Sequence, residues 1–73
     1  MASQAATPGQ ALKALRGMAH MTLKQVATAA DTSIAYLSRV ENDSVVPAQE
    51  YVAKVSYAIS RSMLAGTRSG RAA

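Results

Sequence analysis

The chain has 73 residues, eight lysines and arginines against four aspartates and glutamates, no cysteine and one histidine, for a net charge of +4. That length holds one domain with a lean core, the missing cysteines exclude disulfides and thiolate zinc sites, and His20 alone cannot build a metal site. The basic excess points to a polyanionic partner, nucleic acid or an acidic membrane surface, with a merely solubilising basic segment as the bland alternative.

The distribution of charge says more than its sum. Through Glu50 the signs cancel, Lys13, Arg16, Lys24 and Arg39 against Asp31, Glu41, Asp43 and Glu50. The whole excess lies in Lys54, Arg61, Arg68 and Arg71. No apolar run approaches the roughly 18–20 residues of a membrane-spanning helix. The first ten residues, MASQAATPGQ, carry neither a basic flank nor a hydrophobic segment, so no secretory signal is expected and a soluble intracellular protein is.

Residues 1–6 are small and polar without periodicity and are expected to be disordered. Thr7-Pro8 then has the form of an N-cap followed by proline at the first helical position, with Gln10 placed to complete a capping box. This predicts a helix over residues 8–19, with Leu12, Leu15 and Ala19 on one stripe and Arg16 beside it. Gly17 weakens that helix by about 1 kcal/mol relative to alanine. Thr22 and Gln25 repeat the capping box, and Met21 and Val26 are spaced as a hydrophobic staple. A second helix over 23–30 follows, with Leu23, Val26, Ala27 and Ala30 at i, i+3, i+4 and i+7. His20 is most simply a residue at the C-terminus of the first helix.

Asp31-Thr32-Ser33 is a tight connection, since aspartate tolerates a left-handed backbone and Ser33 is a good N-cap. The third helix is predicted over 34–42. At about 100° per residue, Tyr36, Leu37 and Val40 gather on one side and Ala35, Ser38, Arg39 and Asn42 on the other, with Ile34 at the border. Residues 43–47 form a loop closed by Pro47. A last helix over 49–65 carries Val52, Val55, Ile59 and Met63 on one stripe; a break near Ser60 with a short fifth helix is the alternative. Residues 67–73 are expected to be a flexible basic tail. The architecture is therefore all-α, a compact four-helix domain over residues 7–65.

Two short helices joined by a tight turn, the second with an open polar face, make a helix-turn-helix. In that geometry the first helix crosses the phosphate backbone and the second enters the major groove. A groove about 12 Å wide admits a helix only where side chains do not hold it off, and Ala35 and Ser38 are small enough. Arg39 then reaches guanine O6 and N7, Ser38 takes either a donor or an acceptor, and the carbons of Ile34 and Ala35 suit a thymine methyl. Thr22, Lys24, Gln25, Ser33 and Asn42 fall where phosphates would lie. Tyr36 is divided between packing and a hydroxyl contact to phosphate, and Arg61, Arg68 and Arg71 between phosphate contact and a solvated face. For Arg39 the bland reading is a solvated residue or an ion pair with Glu50. Catalysis is not expected: there is no cysteine, no carboxylate partner evident for His20 and no glycine-rich phosphate loop.

Over residues 10–60 the sequence resembles the Cro and cI-like helix-turn-helix repressors of phages and bacteria, the XRE family. The resemblance rests on LKALR at 12–16, on TLKQVATAADTSIAYLSRVEN at 22–42, and on Pro47, Glu50, Val52, Val55 and Ile59 in the last helix; YLSRVEN is its most specific piece. It implies a lambda-repressor-like fold and a small phage or prophage Cro-type repressor acting at operator DNA without cofactor, small-molecule ligand or membrane partner. It also implies a structural ion pair between Arg16 and Glu41. The chain departs from the family pattern in three places. Leu23 stands where a phosphate-touching glutamine is usual, Asp31 where glycine is usual, and no separate fifth helix supplies the common dimer interface. A weak homodimer forming mainly on DNA is the resulting expectation. An antitoxin-like or partner-protein-binding module of the same fold is the alternative, using Val45, Val46, Tyr57, Met63 and Leu64.

Overall fold

The computed structural model describes residues 6–72, with side chains described through Ala65. The elements are α1 (Pro8–Met18), α2 (Leu23–Ala30), α3 (Ile34–Glu41) and α4 (Gln49–Ala72), with no strand among the described residues. Residues 1–5, most of the segment expected to be disordered, and residue 73 lie outside the described residues.

Each of the three short helices begins on a side-chain cap. Thr7 Oγ1 accepts the Gln10 N–H at 3.1 Å while Gln10 Oε1 accepts the Thr7 N–H at 3.3 Å. Thr22 and Gln25 repeat the exchange at 3.0 and 2.8 Å. Ser33 Oγ accepts the Tyr36 N–H at 3.0 Å. Each cap contributes about 1 kcal/mol. That matters because α2 and α3 have eight residues each, too few to hold a helix in water without tertiary support.

The three helices also end alike, each on a left-handed residue that is not glycine: His20 (φ 56°), Asp31 (φ 57°) and Asp43 (φ 62°). In each case the next residue's N–H reaches back to the helix. Met21 donates to the Arg16 carbonyl at 3.2 Å, Thr32 to Ala27 at 2.9 Å and Ser44 to Arg39 at 2.8 Å. The left-handed residue itself donates to the Gly17, Thr28 and Val40 carbonyls respectively. These are three Schellman terminations, which turn the chain within two residues and satisfy carbonyls that a helix end leaves free. Ala19 and Asn42, expected inside helices, are the C-cap residues of α1 and α3.

The core is one cluster of Leu12, Val26, Ala27, Ala30, Leu37, Val40, Val55, Ala58 and Ile59. Leu15, Ala19, Met21, Leu23, Tyr36, Val45, Tyr51 and Val52 pack around it. Leu23, standing in place of the usual polar residue, is thus part of the hydrophobic rim.

The last helix departs most from expectation. It runs unbroken from Gln49 to Ala72, with neither a break near Ser60 nor an end at 65, and residues 67–72 are helical where a tail is expected. Gly66 and Gly70 each weaken a helix by about 1 kcal/mol but do not forbid it, and no proline follows Pro47. The buried stripe stops at Ile59: Met63 is 36 % exposed and Leu64 65 %.

Candidate nucleic-acid interface

The α2–turn–α3 unit is held from behind by α1 and from one side by α4. Arg16 is the main tie. Its Nε donates to Glu41 Oε2 and its Nη2 to Glu41 Oε1, both at 2.8 Å, and its Nη1 donates to the Met21 carbonyl at 3.0 Å. One guanidinium therefore joins α1, the α1–α2 turn and the end of α3. The hydrogen bonding of Arg16 to the Glu41 carboxylate pushes the Arg16 pKa above its ordinary value, aided by the carboxylate charge, while burial opposes this. Among the described residues Glu41 is the one polar residue in the buried set, 6 % exposed, and the two-pronged geometry makes such burial tolerable.

A second tie comes from α4. The Tyr51 hydroxyl lies 3.1 Å from Thr32 Oγ1 in the turn, and the Tyr51 ring meets Tyr36 edge-on, centroids 5.0 Å apart and planes at 83°. Lys54 Nζ stands 6.0 Å from the centre of the Tyr51 ring. The turn and the first turn of α3 are thereby fixed to the start of α4. Sequence reasoning missed Thr32 and Tyr51. Their contact spans 19 positions, so no local pattern announces it.

With Leu37, Val40 and Glu41 turned inward, the opposite flank of α3 is left outward. Ile34 (45 % exposed), Ala35, Arg39 and Asn42 are exposed and Ser38 is half-buried. Among the described residues Arg39 has no ion pair or side-chain hydrogen bond, so the alternative pairing with Glu50 is not made. The structure therefore brings the four proposed base-reading residues onto one open surface. At its edge, Ser33 and Thr22 use their hydroxyls as caps, and Gln25 spends its carbonyl oxygen on Thr22 while its amide nitrogen remains available. Lys24 is exposed at the start of α2. Tyr36 is half-buried by its contact with Tyr51. Arg61 sits apart, its guanidinium 5.8 Å from the Tyr57 ring centre, in a shallow groove with Ala29, Ala58, Ser62 and Ala65. The side chains of Arg68 and Arg71 lie outside those described.

No group of three or more His, Cys, Asp or Glu side chains that would hold a metal occurs among the described residues, and no described helix is long and apolar enough to cross a membrane.

Four helices, the second and third at a tight left-handed turn and the third presenting an open flank, define an all-α, lambda-repressor-like helix-turn-helix domain. The helix-turn-helix family matches residues 12–65, and the chain belongs to that family, a class of DNA-binding regulatory domains that are generally not enzymes. Comparison with curated proteins returns no match, and neither does comparison with solved structures.

Proposed function

We propose that this protein is a sequence-specific regulator of transcription of the Cro type, a repressor that occupies operator DNA with α3 in the major groove. Ile34, Ala35, Ser38 and Arg39 contact base edges, Arg39 at guanine and the aliphatic carbons at thymine methyl groups. Thr22, Lys24, Gln25, Ser33, Tyr36 and Asn42 set the register on phosphates, with Arg61, Arg68 and Arg71 adding cationic contacts. The supporting observation is the α3 flank itself: small side chains around an exposed arginine that no described residue engages. An exposed apolar Ile34 beside small residues and an unengaged guanidinium offers both the apolar and the cationic contacts that base edges take.

Such a regulator works inside the cell, in the bacterial cytoplasm or nucleoid, including a phage-infected host. Two copies pair weakly and chiefly on DNA, on half-sites one helical turn apart. The test is selection of bound duplexes from a random pool. A recovered motif with two-fold symmetry is the expected result. No motif, together with stoichiometric co-purification of a toxin-like protein, would favour an antitoxin instead.

A further inference from the structure

We propose that the first turn of α1 is a clamp that positions the recognition helix, and that Gly9 is its positioning residue. The proposal rests on the DNA-binding reading above. Gly9 is buried and its backbone is not left-handed, so glycine is not there for conformational freedom. It is there for closeness. A Cβ at this position would overlap the Val40 carbonyl oxygen, and would lie 2.9 Å from the carbonyl carbon and 3.0 Å from Asp43 Oδ1.

The groups that meet here are complementary. Val40 lies in the last turn of α3, where carbonyls carry partial negative charge, and Gly9 lies in the first turn of α1, where free N–H groups carry partial positive charge. Thr7, the cap of α1, donates from Oγ1 to Asp43 Oδ1 at 2.7 Å while accepting the Gln10 N–H. The residue that starts one helix is thus bonded to the residue that ends the other. The first turn of α1 has no acidic side chain of its own, and Asp43 supplies one from across the interface.

Seven residues further along α1, about 10 Å on, Arg16 grips Glu41. The end of α3 is therefore held from two places about 10 Å apart on α1, residues 40 and 43 by the first turn and residue 41 by the arginine. Two attachments fix rotation as well as position. Arg39 and Asn42 project from this same stretch on the exposed side, so a displacement of α1 moves them relative to the bases and phosphates they face. Because the neighbour of Gly9 is backbone, it cannot swing aside as a flexible side chain would.

The test uses the full chain with Gly9→Ala, and Asp43→Gly as a gentler variant that breaks the bond from Thr7 while leaving the Thr7 cap in place and adding no bulk against Val40. The readouts are helical content, amide resonances of residues 38–44, and affinity for the selected duplex relative to a random one. Gly9→Ala is expected to stay helical, to shift those resonances, and to lose about tenfold in the affinity ratio, the size of one mismatched base pair. Its affinity for random duplex should be unchanged. Asp43→Gly should lose in the same direction by about threefold, the scale of one hydrogen bond, and decides the matter should Gly9→Ala fail to fold. A folded variant with the wild-type ratio would overturn the proposal, as would equal losses on both duplexes, which mark a merely structural role. A wild-type protein that prefers no duplex would overturn the DNA-binding reading itself, and that is seen before any variant is compared.

Discussion

Replacing Arg16 by methionine keeps most of the side-chain volume and removes the charge. Glu41 then loses both of its 2.8 Å bonds while its side chain remains 4 % exposed. Stranding one member of a buried pair costs about 3–5 kcal/mol, and the partial exposure of Arg16, 18 %, argues for the lower end, about 3 kcal/mol. The reverse change, Glu41→Gln, leaves an arginine that can turn toward water and an amide oxygen that still accepts one bond, so about 1–2 kcal/mol is expected. At about 0.05–0.15 kcal/mol per residue, a domain of this size holds about 4–11 kcal/mol in total. Arg16→Met therefore removes a large part of it and lowers the midpoint of thermal unfolding by about 12–24 °C. Urea and thermal melts followed by circular dichroism measure both variants. The pH behaviour is also fixed. A raised Arg16 pKa means that its contribution is fully present below the ordinary arginine pKa and is lost only as pH climbs through the raised folded value. The difference between wild type and Arg16→Met should thus not shrink between neutral and mildly alkaline pH. Equal losses below about 0.5 kcal/mol for both variants would refute the reasoning, because they would show a pair screened like one on the surface.

Arg39→Ala should weaken binding to the selected duplex by about 1–3 kcal/mol and relax preference at one base pair; a uniform loss across sequences would make Arg39 a phosphate contact. Asp31→Gly should stabilise the fold by about 1 kcal/mol, because glycine takes the left-handed conformation without strain. Asp43→Gly should bring no such gain, since it also removes the acceptor for Thr7, and a denaturation series separates the two. Deleting residues 67–73 removes Arg68 and Arg71 and should lower the logarithmic salt slope of binding by up to about 1.8, at about 0.9 per phosphate neutralised. An unchanged slope would show that neither arginine touches DNA.

Where structure is set locally, the sequence was a good guide. Thr7, Thr22 and Ser33 are caps because a hydroxyl there meets an N–H three residues on, and spacing alone reveals it. The open flank of α3 was equally readable, because helical periodicity places Leu37 and Val40 opposite Ala35 and Arg39. The misses share a physical origin. The Thr32–Tyr51 bond and the Gly9–Val40 approach join residues far apart in sequence, and no periodicity encodes which helix ends meet. Ala58 was not placed in the core because its small side chain gives a weak apolar signal. Helix α4 runs past the expected end at 65 because the glycine at 66 only weakens a helix that nothing else interrupts.

The central claim is that the α3 flank enters the major groove, and chemical protection of guanine N7 tests it most directly. Dimethyl sulfate methylates that atom in the major groove and adenine N3 in the minor groove, so a single reagent distinguishes the two faces of the duplex. On a selected duplex, wild-type protein should protect at least one guanine N7, and Arg39→Ala should release it. Protection confined to adenine N3, or a guanine that stays equally protected without Arg39, would contradict the account.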